Sequence, residues 1–109
     1  MNIFKLYKNK FSDILLSNNY QCNFSKLTVE PPRDPAFGDL AYNAPLILSS
    51  NLKKKPLEIG SEISLLIKNN FSEFESVELV KPGFINLKLK KDFWFNFLSA
   101  FGDNKDMLI

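Results

Sequence analysis

The sequence predicts an α+β domain, a small antiparallel sheet with helices packed on one face, in the order α-β-α-α-β-β-α. Three observations predict it. Apolar residues recur at helical spacing from Asn2 to Leu16, again after Leu40 and Pro56, and once more after Asp92. Beyond Asn69 and Asn70 the period changes to two. Two alternating runs are then separated by Lys81, Pro82 and Gly83, which makes them neighbours in one sheet. With 109 residues the chain holds one domain, 1–109.

Between Asn2 and Leu16, Ile3, Phe4, Tyr7, Phe11, Ile14 and Leu15 form the apolar stripe of an amphipathic helix that Asn18 and Asn19 end. Lys26 to Val29 follows as a short strand with Leu27 and Val29 on one face. Pro31, Pro32 and Pro35 remove backbone donors and bias their predecessors away from helix, so Glu30 to Gly38 is an extended loop. From Leu40, the positions Leu40, Ala44, Ile47, Leu48 and Leu52 predict a second helix capped by Asp39. Pro45 leaves two possibilities, a start nearer Asn43 or a distorted turn.

Pro56 opens a third helix that buries Leu57, Ile59, Ile63, Leu66 and Ile67, and Gly60 within it costs about 1 kcal/mol relative to Ala. In the next strand Val77 and Leu79 face one way and Ser76, Glu78 and Val80 the other. A Pro-Gly turn splays its strands, so the link to the following strand, Phe84 to Lys90, is expected to be loose or bulged. Asp92 caps a last helix carrying Phe93, Trp94, Phe97, Leu98 and Phe101, which Gly102 stops.

Several chemistries are excluded or disfavoured. The chain contains no histidine, so Ser/His triads, Cys/His pairs and His-based zinc sites are ruled out. Its glycines stand singly at Gly38, Gly60, Gly83 and Gly102, and none forms a phosphate-cradling loop. Glu30, Asp34 and Asp39 lack calcium-loop spacing. No catalytic, cofactor-binding or metal-binding residue is therefore expected. A single cysteine, Cys22, suits a reducing compartment, and no apolar run approaches the ~18 to 20 residues of a membrane span. The expectation is a cytoplasmic chain without membrane contact.

Net charge is only +2, too small to announce nucleic-acid binding by itself. Its distribution says more, because basic residues gather at Lys53 to Lys55 and again at Lys81, Lys88, Lys90 and Lys91. In the strand Phe84 to Lys90, Ile85, Leu87 and Leu89 point to one side, while Phe84, Asn86, Lys88 and Lys90 point to the other. A ring to stack a base, an amide to read its edge and ammonium groups to hold phosphates are the parts of a single-stranded nucleic-acid site. An outward strand face with one stray aromatic residue would show the same alternation.

Two stretches together carry a resemblance. VEPPRDPAFGDLAYN, Val29 to Asn43, and VELVKPGFINLKL, Val77 to Leu89, are similar to the N-terminal appended domain of arginyl-tRNA synthetases. The resemblance implies an α+β domain that binds the D-loop side of the tRNA elbow. It implies that Phe84 stacks on an exposed D-loop base and that Asn86 hydrogen-bonds it; from their charge, Lys81, Lys88 and Lys90 are the residues expected on phosphates. It implies a monomeric fragment of a larger synthetase, with tRNA(Arg) and the catalytic domain of the same chain as partners. Arginine ligation with ATP and Mg²⁺ would belong to that parent enzyme. Asp34, Gly38, Asp39 and Asn43 match the same pattern and have structural reasons of their own: a tight bend, a helix cap and local hydrogen bonds. The alternative from another class is a non-catalytic protein-interaction domain using the same strand face or the sheet edge.

Overall fold

The structure, a computed structural model, describes the backbone of residues 2–100 and the side chains of residues 2–97. The expected roles of Leu98, Phe101 and Gly102 in the last helix lie outside the described side chains and residues. Among the described residues the order is α1 (Ile3–Ser17), β1 (Val29–Glu30), β2 (Leu40–Tyr42), α2 (Ala44–Leu52), α3 (Pro56–Asn70), β3 (Phe74–Val80), β4 (Phe84–Leu89) and α4 (Lys91–Ala100). Single 3-10 turns occupy Phe24–Lys26 and Pro35–Phe37. The strands form one antiparallel sheet in the order β1-β2-β4-β3. The α+β class with an antiparallel sheet is as expected.

Helix α1 begins where Asn2 caps it, its Oδ1 accepting from the amide of Phe4 at 2.8 Å. It buries Ile3, Tyr7, Phe11 and Leu15, one residue per turn. Tyr7 and Phe11 lie with ring centroids 5.5 Å apart, and Phe11 meets Tyr42 of β2 at 4.9 Å and Phe71 edge-on at 5.3 Å. Against these rings the sheet places Leu40, Ile85, Leu87 and Leu89. Ile59, Ile63 and Ile67 of α3 complete the same core. Gly60 of α3 has a structural reason, since a Cβ there would run into the side chain of Leu79 on β3.

Five expectations need correction. Leu40 to Tyr42 is a strand and not part of the second helix, which starts at Ala44 beside Asn43, the first of the two possibilities that Pro45 left, so Pro45 sits in the first turn where no amide donor is needed. Leu40 pairs with Leu87 and Tyr42 with Ile85, which gives the sheet a strand that the expected order lacked. Asp39 consequently caps no helix: its Oδ2 accepts from the amide of Leu89 at 2.8 Å, and its own amide donates to the carbonyl of Leu87 at 2.8 Å. Likewise Asp92 lies inside the first turn of α4, which begins at Lys91. The segment expected as a strand from Lys26 is a 3-10 turn through Lys26, with pairing only at Val29 and Glu30, although Leu27 and Val29 are both buried. Finally, the β3–β4 register is regular up to the Lys81–Gly83 connection, and its one irregularity falls at the far end, between Phe74 and Ser76.

Candidate nucleic-acid interface

The aliphatic side chains of β4 turn into the core, and the cleft beside Phe84 and Asn86 is lined by no residue of α1, α2, α3 or α4. Strand alternation puts Ala41 and Asn86 side by side there, as antiparallel partners, with Glu30 and Glu78 next in the row. Ala41 is small, so the floor beside Asn86 stays open. Phe84 stands two residues along the same strand, a spacing of about 7 Å. Glu30, Ala41, Phe84 and Asn86 form the floor of a cleft of about 600 Å³. That volume is within the ~300 to 1,000 Å³ usual for small-ligand sites.

The other wall is the Pro-rich loop, which contributes Pro31, Pro32, Arg33 and Phe37. Its position follows from three local devices. Asp34 Oδ1 accepts from the amide of Ala36 at 2.9 Å, closing the Pro35–Phe37 turn. Gly38 has φ +134° and lies so close to β4 that an added Cβ would stand 2.6 Å from the carbonyl oxygen of Leu87. Asp39 then ties the loop to Leu87 and Leu89 through the two bonds described above. Asn43 fixes the preceding segment, its Oδ1 accepting from the amide of Thr28 at 2.8 Å and its Nδ2 donating to the carbonyl of Lys26 at 3.1 Å. Of the four residues read as structural, Asp34 and Gly38 act locally as expected, while Asp39 and Asn43 reach other parts of the chain.

Asn86 is only 7% exposed, yet its side-chain amide makes no hydrogen bond to any described residue. The amide opens on the cleft, where water or a ligand can meet it. Phe84 is half-buried, with its ring in the cleft and in no ring contact with another described aromatic residue. Lys81 lines the rim. Lys88 is exposed outside the cleft and pairs with Glu75 at 3.5 Å, both side chains more than half exposed. Lys90 lies past the end of β4 and is likewise outside the cleft. The structure thus brings together three of the five expected residues: Phe84, Asn86 and Lys81. Sequence reasoning missed Arg33 and Phe37, because a loop with three prolines has no periodicity to report which side chains turn toward β4.

Among the described residues no group of three or more His, Cys, Asp or Glu side chains comes together to hold a metal ion. No helix within them is long and apolar enough to cross a membrane. The cleft thus offers a ring and an amide that has no hydrogen-bond partner among the described residues, walled by a loop that carries Arg33. Residues 5–89 match the family described as "Arginyl tRNA synthetase N terminal domain", and the chain belongs to that family. It is 39% identical over 100 residues to an arginine–tRNA ligase of Bartonella quintana, a match covering 86% of this chain and 17% of the relative. The arginine–tRNA ligase of Bartonella tribocorum is 40% identical with the same coverage, and that of Brucella abortus 39%. The chain therefore spans less than a fifth of the length of these curated relatives.

Proposed function

We propose that this chain is a tRNA-recognition domain that holds the D-loop of tRNA(Arg) in the cleft above β4 and so supports arginylation by the ligase it serves. Phe84 stacks on an unstacked D-loop base, and Asn86 meets the edge of that base with the amide that finds no partner in the protein. Lys81 at the rim, and Lys88 and Lys90 farther along the same side, hold phosphates. The observation that carries the reading is the Asn86 amide, more than nine-tenths buried and unpaired, two residues from a half-buried ring in a chain of this family. Amino-acid activation, with its ATP and Mg²⁺, is assigned to the length of the relatives that this chain does not span. The setting is the cytoplasm, where tRNA is charged.

Binding of residues 1–109 to tRNA(Arg), and to the same tRNA with its D-loop replaced, tests the proposal. Weaker binding of the replaced tRNA is expected. Equal binding of both would remove the D-loop from the account, and indifference to tRNA together with self-association would favour a protein-interaction domain.

A further inference from the structure

The cleft has a second aromatic side chain that the reading above leaves idle. Phe37 is 55% exposed, although it lies in a turn held by Asp34, by the close approach of Gly38 to β4 and by Asp39. A single exposed ring on a surface is ordinary. This one lines the same cleft as Phe84, and neither ring is in contact with the other or with any other described aromatic residue. Arg33 lines that wall too, and supplies a guanidinium on the loop side where Lys81 supplies an ammonium on the hairpin side. Glu30 is the one carboxylate that lines the cleft beside these two cations, with Asp34 next to Arg33 in the loop and Glu78 next to Asn86 in the sheet.

We infer that the Pro-rich loop is the second half of a clamp: Phe37 stacks on the face of the bound base opposite Phe84, and Arg33 pairs with a phosphate of the same strand. The inference rests on the reading of this cleft as the tRNA site and adds to it a specific wall. Two rings held by separate anchors, one on a strand and one on a loop fastened to that strand, present a slot of fixed form. Such a slot favours a flat ring over other shapes and costs little ordering on binding. Arginine suits the loop position because its planar fork pairs with phosphate oxygens in bidentate fashion. The prolines at 31, 32 and 35 then have a functional consequence, since a loop with little freedom keeps Phe37 in place before RNA arrives.

The test uses the whole chain, residues 1–109, with tRNA(Arg) as the probe. Phe37→Ala and Phe37→Leu are each expected to weaken binding roughly 5- to 150-fold, the loss of one base–aromatic stack. Phe37→Trp should bind as the wild type does, because it keeps a ring. All three should melt near the wild-type temperature, the side chain being mostly exposed. Arg33→Gln should lower the slope of log affinity against log salt by about 0.7. Wild-type affinity in Phe37→Leu would overturn the stacking role, since bulk alone would suffice. Wild-type affinity in Phe37→Ala, with Phe84→Ala weakened, would overturn the clamp and leave the cleft as the site. Wild-type affinity in both would overturn the clamp and the site together. An unchanged salt slope in Arg33→Gln would remove Arg33 from the phosphate.

Discussion

Phe84 and Leu87 are three residues apart on one strand and face opposite ways, which makes them a matched pair for separating recognition from packing. Leu87 is fully buried among aliphatic and aromatic neighbours, so Leu87→Ala should destabilise the domain by about 2 to 5 kcal/mol through the cavity it leaves. Phe84→Ala removes a half-buried ring from an open cleft and should leave the fold intact. Asn86→Ala should leave it intact as well, because its side chain makes no hydrogen bond to a described residue. Thermal melts of the three variants check this ordering. A different residue, Tyr7, governs behaviour at high pH. Its hydroxyl donates to Glu73 Oε2 at 2.8 Å, and burial, that bond and the carboxylate's charge together push its pKa well above the ordinary value near 10. The folded state keeps this proton longer than the unfolded chain, so the contribution to stability is fully present below about pH 10 and is lost above it. Melts between pH 8 and 11 should show a steeper alkaline decline for the wild type than for Tyr7→Phe.

At the scale of elements, periodicity made α1, α3, β3 and β4 legible, because each is long enough for its apolar pattern to repeat. Strand β2 was not. Three residues cannot display a period of two, and Leu40, Ala44 and Leu48 happen to share helical spacing across the strand-to-helix boundary. Asp39 was misassigned for a related reason: its hydrogen-bond partner, Leu89, is fifty residues away and invisible to a local capping pattern. The candidate site divides in the same way. Alternation placed Phe84 and Asn86 on one face correctly, whereas Arg33 and Phe37 enter only through the tertiary path of the loop. The structural role of Asp39 is testable. Asp39→Ala should destabilise the domain by about 1 to 3 kcal/mol, since the Leu89 amide loses its acceptor. It should leave the helicity of α2 unchanged, as seen by hydrogen exchange of residues 44–52, whereas a capping role would show fraying there.

For the whole molecule the net charge of +2 is small, but Arg33 and Lys81 both line the cleft against one lining carboxylate, Glu30, with Lys88 and Lys90 beyond it. Binding to tRNA should therefore weaken with salt, each neutralised phosphate adding about 0.7 to 0.9 to the slope. Micromolar or tighter binding that held constant from low to high salt would contradict the electrostatic part. The central claim, that Phe84 and Asn86 hold and read one D-loop base, is tested most directly by measuring affinity for tRNA(Arg) carrying each of the four bases at the contacted position. Phe84→Ala should weaken binding by a similar factor for all four, roughly 5- to 150-fold, because stacking does not depend on base identity. Asn86→Ala should narrow the spread among the four, because the lost group reads an edge. The contradicting result is a spread unchanged by Asn86→Ala, together with a Phe84→Ala variant that melts as early as Leu87→Ala and binds normally when folded.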